Sequence, residues 1–467
     1  MVSPFREAHA RLEEAERQLG LFDVRVGDWC AWPTVRTQVQ TWMTGAEFAK
    51  TSLPHSPGRR IGSLMNTLLH DAPARLRLHS AERVFNTHTS SLTYRRRDAY
   101  GDLLMDELIT YFADSVVLET VNTEAFATRR PAIGARYLTS RSYLAEAAAV
   151  RRLIGREADA PANAIVECLH SFLGDGPWDG SWIRATIAHF CATRRAYCAF
   201  FHSVSPRQML VSDWSQHGLI AAALEHDVDV IELQHGVFDR FHGAYGWSDA
   251  ANHVRRHIPV ANKLLLFGDH WCDELESCHF WDDRTTAVGS LPMERARARL
   301  VGTSRRAEVV FTSQGVAPDA MTEFLRQFML LSSADIRLAI KLHPVYDGDA
   351  ASFRAAFSGN PRVRILGSGD ATSSLDLIAG ALLHASVSST SHFEAVALGT
   401  PTVILPFDSW DNVATLHDSG LAMLAETPEA LVRATERAAS WEYPRDVAAY
   451  YFRPGARENM IAALSAH

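Results

Sequence analysis

The chain has 467 residues, of which 47% are hydrophobic and 21% are charged, and its formal net charge is −8. This composition is typical of a globular protein, and the length exceeds that of a single core, so we expect two domains. The acidic balance disfavours non-specific nucleic-acid binding, and no apolar stretch approaches the roughly 18 residues of a membrane-spanning helix.

Cysteine usage and the N-terminal segment bear on the compartment. Six cysteines are scattered along the chain without a C-x-x-C pair, which disfavours a zinc knuckle or a thioredoxin-like motif. They are most simply buried thiols of a reducing compartment. Residues 1–20 are charged and lack the apolar core of a secretion signal. We therefore expect a cytoplasmic protein, and leave contact with the inner face of the membrane open.

The first half of the chain alternates short apolar runs with helical segments. Residues 5–20 have helical spacing, and three tryptophans follow, Trp29, Trp32 and Trp42. Strands are predicted at 82–88, 114–120, 207–214, 228–234, 262–268 and 284–290. Helices are predicted at 101–112, through most of 145–204, and at 216–226.

The pattern restarts after residues 291–306, which are polar, end in a basic pair and are predicted to be a linker. Strands are predicted at 307–312, 336–344, 362–366, 381–387 and 402–407, with helices between them and a mostly helical stretch at 427–467. This alternation is typical of βαβ units. It predicts an α/β protein of two Rossmann-like parallel-sheet domains facing a cleft, with extra N-terminal helices.

The domain boundaries follow from the same pattern. We place the N-terminal domain at residues 1–295 and the C-terminal domain at 296–445. A C-terminal helix is predicted at 446–467, and its return to the N-terminal domain is one option.

Polar side chains follow five of the predicted strands, at the point where each strand ends. In chain order they are His88; Gln234 and His235; Ser313 and Gln314; His343 with Pro344; and Ser388, Ser389 and Thr390. In an open parallel sheet, ligands bind outside the carboxyl ends of the strands. Five polar strand ends together predict a polar binding cleft.

Two of these strand ends favour phosphate. Ser388–Ser391 lies where a strand turns into a helix, and the N–H groups of a helix start attract phosphate. The alternative is a capping box, in which Ser391 caps the helix and Glu394 reaches back. Lys341 lies on the same side of its strand as His343, and this cation and imidazole suit a phosphate. The alternative is a solvent-facing edge with a loop proline.

These motifs, in this order, resemble nucleotide-sugar glycosyltransferases of the GT-B fold. They are SQG at 313–315, KLHP at 341–344 and SSTSHFEAVALGTPTVIL at 388–405. More narrowly, they resemble the bacterial capsule and surface-polysaccharide group, which includes capsule Kdo transferases, bacterial sialyltransferases and CDP-glycerol polyol-phosphate transferases. ELQHG at 232–236 and WCAWPTVR at 29–36 also resemble elements of surface-carbohydrate biosynthesis proteins. Residues 300–445 carry most of the resemblance.

The resemblance implies that the C-terminal domain, residues 296–445, binds the nucleotide-sugar donor and that the N-terminal domain, residues 1–295, is the acceptor side. Ser313 and Gln314 would lie beside the donor phosphates, and His343 would contact phosphate, with Lys341 beside it and Pro344 shaping the loop. Ser388, Ser389 and Thr390 would hold phosphate, and Glu394 would accept hydrogen bonds from ribose. It also implies that neither a metal nor a cofactor is needed, the nucleotide sugar being a substrate. The acidic motifs of sialyltransferases and glycerol-phosphate polymerases are missing, so the donor stays open.

Proton removal from the acceptor needs a base, and three residues are candidates: His235, Asp213 and Asp28. For His235 the alternative is a structural histidine bonded to loop backbone. Candidates for acceptor binding are His88, Arg95, Tyr100, Trp29 and Gln234. Arg95 and its neighbours suit an anionic acceptor, such as a phospholipid-linked or acidic glycan, or form a solvated basic turn. Trp29 and Trp32 either stack on sugar or pack in the core.

We therefore expect a metal-independent, inverting glycosyltransferase that moves a sugar from a nucleotide-sugar donor to a surface polysaccharide or glycolipid. Two alternatives are a nucleotide-sugar 2-epimerase, which shares this two-domain fold, and a non-catalytic sugar-nucleotide-binding subunit of a polysaccharide assembly complex. No nucleic-acid partner is expected, and the oligomeric state is open.

Overall fold

The computed structural model describes residues 4–44, 72–88, 93–96, 99–120, 136–176, 178–300, 305–343, 347, 351–367, 370 and 372–466. The chain forms two compact units. Unit 1 comprises Met1–Leu266 and Trp271–Thr286, and unit 2 comprises Phe267–His270 and Ala287–His467. Within the described residues, no helix combines the length and the apolar character needed to span a membrane.

Unit 1 is built on a sheet of seven strands in the order β11-β10-β9-β8-β3-β6-β7, and the pairs from β10 to β7 are parallel. The strands of the unit are β1 (Arg25–Val26), β2 (Trp29–Cys30), β3 (Arg83–His88), β4 (Thr93–Arg96), β5 (Ala99–Asp102), β6 (Ser115–Thr120), β7 (Arg136–Thr139), β8 (Gln208–Val211), β9 (Asp229–Leu233), β10 (Lys263–Leu266) and β11 (Thr285–Ala287). The pairs β1–β2 and β4–β5 are separate antiparallel hairpins.

The helices of unit 1 are α1 (Pro4–Leu19), α2 (Pro33–Met43), α3 (Ala72–Leu76), α4 (Asp106–Tyr111), α5 (Arg141–Ile154), α6 (Asp159–Leu173), α7 (Gly180–Val204) and α8 (His217–Leu224). A further helix, α9 (Asp269–Asp273), begins in unit 2 and ends in unit 1. The long helix α7 begins at an N-cap, because the Asp179 carboxylate accepts hydrogen bonds from the backbone N–H groups of Ser181 and Trp182. Every residue of β3, β6 and β8 is buried, as expected for parallel strands covered on both faces.

Unit 2 contains a sheet of six strands in the order β14-β13-β12-β15-β16-β17, all paired in parallel. They are β12 (Glu308–Thr312), β13 (Arg337–Lys341), β14 (Val363–Leu366), β15 (Leu383–Ser386), β16 (Thr402–Ile404) and β17 (Met423–Leu424). The helices are α10 (Leu291–Leu300), α11 (Pro318–Leu331), α12 (Ala351–Ala356), α13 (Ser374–Ala379), α14 (Ser391–Ala397), α15 (Ala414–Asp418), α16 (Pro428–Arg437), α17 (Val447–Tyr451) and α18 (Ala456–Ser465).

Side chains that alternate along β12 form a core on each face of the unit 2 sheet. Val309 and Phe311 pack in the larger core, which includes Phe328 of α11, whereas Val310 packs on the opposite face with Ile378 of α13. This is the alternation that the pleat of a strand imposes. Helices on both faces leave the strand ends as the place where polar side chains can gather.

The predicted α/β class is confirmed, because each unit is an α/β domain built on a parallel sheet. The predicted cleft and the predicted boundaries stay predictions. The predicted linker at 291–306 is wrong over its first part, which forms α10; Leu291, Met293 and Ala296 of this segment are buried. Strand β7 lies in a stretch for which no strand was predicted, and the helix predicted at 101–112 starts only at Asp106, after β5.

A buried ion pair joins α1 to α2. The Arg36 guanidinium and the Glu16 carboxylate have no solvent exposure, and Arg36 Nε lies 2.5 Å from Glu16 Oε1. Trp32 Nε1 donates to the same oxygen at 2.8 Å, and Ser248 Oγ donates to Glu16 Oε2 at 2.7 Å. Arg36 also donates to the carbonyl of Gly243. Trp32 is therefore a core residue, the second of the two alternatives given for it.

We expect Glu16→Gln to lower the free energy of unfolding of unit 1 by about 3–5 kcal/mol, because it leaves the Arg36 charge buried without a counter-charge. Urea unfolding followed by tryptophan fluorescence measures this change. The matched control is Glu14→Gln on the same helix: Glu14 pairs with Arg17 at the surface, with side-chain exposures of 41% and 53%. The control should change stability by less than about 1 kcal/mol. Equal effects of the two substitutions would contradict the prediction.

Candidate functional site

Three adjacent strands of unit 1 end in polar side chains at one edge of the sheet. β3 ends at His88, Asp213 follows β8 by two residues, and Gln234 and His235 follow β9 directly. Because β9, β8 and β3 are neighbours and parallel, their carboxyl ends meet at the same edge. The structure therefore brings His88, Asp213 and His235 together from segments far apart in the chain; we call these three residues the unit 1 cluster.

Asp213 is the anionic member of the unit 1 cluster. Its Oδ2 lies 3.9 Å from Nε2 of His88 and accepts from Nε2 of Gln216 at 3.1 Å. Its Oδ1 accepts from the backbone N–H of Ser215 at 2.8 Å. Burial alone would raise the pKa of Asp213, but the interaction with His88 and the hydrogen bonds from Ser215 and Gln216 outweigh it and lower the pKa. The carboxylate is thus ionised at neutral pH.

The histidines around Asp213 are neutral at the same pH. Burial lowers the pKa of His88, although the charge of Asp213 partly opposes this. His235 is open to solvent at its surface, yet its densely packed surroundings also lower its pKa, again against the pull of Asp213. Burial lowers the pKa of His242 to about 4, and Nδ1 of this ring accepts the Ala244 N–H at 3.1 Å. Neutral imidazoles of this kind can accept a proton.

Glu232 adds a protonated acid to this edge of unit 1. It lies within β9, is 3% exposed, and accepts the hydroxyl proton of Tyr245. Burial raises the pKa of Glu232 to about 8, and the charge of Asp213 also raises it, whereas the Tyr245 hydrogen bond acts in the opposite direction. The sequence reading missed Glu232 because it was counted within an apolar run. A single carboxylate in an otherwise apolar buried strand is the signal that could have found it.

His217 is a second residue that the sequence reading missed. The tripeptide Gln-His-Gly occurs at 216–218 as well as at 234–236, and this repetition was an available signal. His217 is buried, and its Nδ1 lies 3.0 Å from the carbonyl oxygen of Pro259. A Cβ at Gly218 would stand 2.0 Å from Oγ1 of Thr193, so the contact between α7 and α8 requires glycine there.

The remaining residues predicted in the first domain are not members of the unit 1 cluster, although Gln234 directly precedes His235. Asp28 is exposed in the turn between β1 and β2, and Nε1 of Trp29 donates to Glu225 at 2.7 Å. Gln234 is buried and donates to the carbonyl of Gly236 at 2.9 Å. Arg95 and Tyr100 are cross-strand partners in the β4–β5 hairpin. The catalytic and acceptor roles assigned to these residues stay predictions.

Unit 2 has a polar cluster at the ends of β12, β13 and β15, which are also neighbours. Ser313 Oγ donates to Oδ1 of Asp347 at 2.7 Å, and the backbone N–H of His343 donates to the other oxygen of Asp347. Oε1 of Gln314 accepts from the backbone N–H of Ser388 at 2.8 Å. Asp347 and Gln314 thus tie the three loops together. These five residues are the unit 2 cluster.

Asp347 was not predicted, because nothing in its local pattern marks it. Pro344 lies outside the described residues. Among the other predicted donor residues, Lys341 donates through Nζ to the carbonyl of Gly367 at 2.8 Å. Burial lowers the pKa of Lys341 and of His343; Asp370 opposes the shift at Lys341, and Asp347 opposes it at His343. The His343 imidazole is therefore neutral at pH 7.

The segment before α14 differs from the predicted capping box. Ser391 is the first residue of the helix, and its hydroxyl pairs with that of Thr312 at 2.8 Å instead of capping a backbone N–H, so the capping-box alternative is wrong. Ser389 Oγ accepts from the N–H of Ser391 at 3.2 Å, and Thr390 stands at the N-cap without a side-chain hydrogen bond to the helix. Burial raises the pKa of Glu394 to about 7.

Among the described residues, no group of three or more His, Cys, Asp and Glu side chains could hold a metal ion.

No protein-family model matches the chain, and no curated protein matches its sequence. Among solved structures, a candidate UDP-N-acetylglucosamine 2-epimerase from Listeria monocytogenes is similar with a TM-score of 0.51 at 12% identity, over 84% of this chain and 97% of that one. The UDP-GlcNAc 2-epimerase of Methanocaldococcus jannaschii has a TM-score of 0.47 at 13% identity, over 82% of this chain and 100% of that one. The wall teichoic acid polymerase TagF has a TM-score of 0.44 at 9% identity, over 87% of this chain and 95% of that one. At 12% identity, the first likeness shows the fold alone, and this fold is of the predicted GT-B type.

We expect Asp213→Asn to lower the pKa of both His88 and His235, because the negative charge of Asp213 raises the pKa of each. Titration of the imidazole resonances by NMR measures both values in the wild type and the variant. His343 of unit 2 is an internal control and should titrate unchanged. Unaltered or raised pKa values of His88 and His235 would show that Asp213 does not act on them.

Proposed function

We propose that this protein is a glycosyltransferase that moves a sugar from a nucleotide-sugar donor to a surface polysaccharide or glycolipid acceptor without a metal ion. One observation carries the proposal: in each unit, a polar cluster that contains neutral imidazole and carboxylate groups gathers at the carboxyl ends of neighbouring parallel strands. This is where open α/β sheets bind ligands. The resemblance of the unit 2 motifs to the capsule and surface-polysaccharide group supports this assignment.

Unit 2 is proposed to bind the donor. The hydroxyls of Ser388 and Ser389 and the imidazole of His343 can donate hydrogen bonds to a diphosphate. Lys341, the last residue of β13 and two residues before His343, supplies positive charge. A phosphate bound at His343 would raise the pKa of its imidazole and so strengthen the interaction. Such donors stabilise the negative charge that develops on the leaving phosphate. Glu394, whose burial raises its pKa to about 7, is proposed to contact the ribose.

Unit 1 is proposed to activate the acceptor. His235 is neutral at pH 7 and open to solvent, so it can take the proton of an acceptor hydroxyl, while the nearby Asp213 charge stabilises the imidazolium that forms. The bond between the anomeric carbon and the phosphate oxygen breaks as the bond to the acceptor oxygen forms. A single displacement of this kind inverts the anomeric centre. Asp28 and Asp213 are the second and third candidates for the base.

A nucleotide-sugar 2-epimerase is the second candidate, and one observation favours it. Epimerisation removes a proton from the carbon at position 2 and returns one, so it needs both a base and an acid. Unit 1 holds neutral histidines together with Glu232, whose burial raises its pKa to about 8. The acid and the base are thus both available at neutral pH.

A thermal-shift panel of CMP, CDP, UDP and GDP tests donor binding. At about 100 times its Kd, a nucleotide that binds only the folded state stabilises it by about 2.7 kcal/mol. We expect one nucleotide to raise the Tm of the wild type, and His343→Ala to lose at least about tenfold in affinity, or about 1.4 kcal/mol. His417→Ala, at an exposed histidine of unit 2, is the control and should respond as the wild type does. No shift with any of the four nucleotides would contradict donor binding.

Turnover of the nucleotide sugar in D₂O separates the candidate functions. An epimerase incorporates deuterium at carbon 2 without an acceptor, a transferase releases nucleotide only when an acceptor is present, and a non-catalytic subunit binds without turnover. We expect transfer, and a fall in kcat of about 10²–10⁴ in His235→Gln with nucleotide binding unchanged. Asp213→Asn and Asp28→Asn are measured in parallel. Full activity of His235→Gln would remove His235 from the role of base.

A further inference from the structure

A cavity of about 380 Å³ lies within unit 1, between α2, α5, α7 and the segment that follows Asp213. Its volume is at the lower end of the range for ligand pockets, roughly 300–1,000 Å³. The lining combines the aromatic rings of Trp182 and Trp214, the carboxamides of Gln38 and Gln216, and five threonines of α2 and α7. Among the described residues that line it, none is Asp, Glu, Lys or Arg.

We propose that this cavity binds a neutral sugar residue of the acceptor. That the ligand is an acceptor rests on the proposed glycosyl transfer. That the ligand is a neutral sugar rests on the lining of the cavity itself. The volume suits a single sugar ring or a short saccharide.

The lining matches the two kinds of surface that a pyranose presents. Its C–H faces pack on flat aromatic rings, which Trp182 of α7 and Trp214 supply. Its hydroxyls need donors and acceptors at the sides. Thr34 and Thr41 donate their own hydroxyl protons to backbone carbonyls of Ala31 and Thr37, so their oxygens are left to accept from sugar hydroxyls. Gln38 can both donate and accept.

The charge of the lining excludes an acidic ligand. Burial lowers the pKa of His189, and Arg151 lowers it further; burial likewise lowers the pKa of His217, so both imidazoles in the lining are neutral at pH 7. A carboxylate or phosphate bound here would lose its hydration without meeting a cation among the described lining residues, which costs several kcal/mol; Arg151 is exposed and lies outside that lining. It would also be repelled by Asp213. A uronic acid or a phosphorylated sugar therefore fits poorly, and a neutral sugar fits well.

The cavity adjoins the unit 1 cluster. Gln216 lines it and donates to Asp213 at 3.1 Å, and Trp214 follows Asp213 directly in the chain. The ring of Trp214 also stands edge-on to that of His242, with centroids 6.0 Å apart. A sugar held in the cavity would thus be close to the residues that we propose to remove its proton.

Two tryptophans provide a matched pair of variants. Both Trp182 and Trp178 contact the ring of Trp42, at centroid distances of 5.2 and 6.5 Å, but only Trp182 lines the cavity. Binding is measured on an array of neutral and acidic glycans, followed by fluorescence titration with the strongest binder. We expect neutral glycans to bind, Trp182→Leu to weaken binding at least tenfold, and Trp178→Leu to stay within twofold of the wild type.

A second variant covers the case in which Trp182→Leu does not fold. Gln38→Lys adds a cation to the lining and should shift preference toward acidic glycans. Binding of acidic glycans alone by the wild type, or of no glycan, would overturn the inference, as would equal losses in the two tryptophan variants. Nucleotide thermal shifts are measured on the same proteins. If nucleotides bind and turn over but neutral glycans do not bind, the cavity assignment fails and glycosyl transfer stands. If neutral glycans bind but no nucleotide binds or turns over, glycosyl transfer is rejected and the cavity remains a sugar site.

Discussion

The buried pair of Glu16 and Arg36 is the interaction on which the polar edge of unit 1 depends. Two charges without solvent contact cost several kcal/mol to desolvate, and that cost is met only if nearly every donor and acceptor is satisfied. Here the partners that satisfy them come from α2 and from the loop at 243–248, through Trp32, Gly243 and Ser248. The ion pair therefore fixes the loop that carries Tyr245 onto Glu232. The ion pair at the N-terminal helix is thus linked, through the hydrogen bond from Tyr245, to the Glu232 carboxyl group in β9.

Both units have the same arrangement: buried apolar strands are followed by polar side chains that can bind or release protons. In unit 2 a chain of hydrogen bonds runs beneath the strand ends, from Ser391 through Thr312 to His384, and from His384 through Thr402 to His392. Burial lowers the pKa of both histidines in this chain, so they take part as neutral rings. Such a network holds the loops above it in one arrangement, because each member is a partner of the next.

The sequence allowed the strands and their polar ends to be predicted, because both are local features: an apolar run and the residues directly after it. His88, Asp213, His235, Ser313 and His343 all come from that pattern. What it could not supply is the partner of each group. Asp347 is identified only by the two loops that it joins.

Identical local sequence can also lead to different surroundings. The two Gln-His-Gly tripeptides show this directly. The first opens α8, where His217 is buried against Pro259; the second follows β9, where His235 is open to solvent. Ser391 and Glu394 have the spacing of a capping box, but the Ser391 hydroxyl bonds Thr312, a residue far away in the chain. The segment at 291–300 looked like a linker because it is polar, yet its few apolar residues are enough to bury one side of a helix.

The protonated state of Glu232 has a thermodynamic consequence for the assembly of unit 1. In the unfolded chain this carboxyl group would have the pKa of an ordinary glutamate and would be ionised at neutral pH, whereas burial in β9 raises its pKa to about 8. Folding near pH 7 therefore draws a proton from the buffer. The measured heat of folding will accordingly vary with the ionisation enthalpy of the buffer, and the free energy of unfolding of the domain will fall as the pH rises from the ordinary glutamate pKa to about 8.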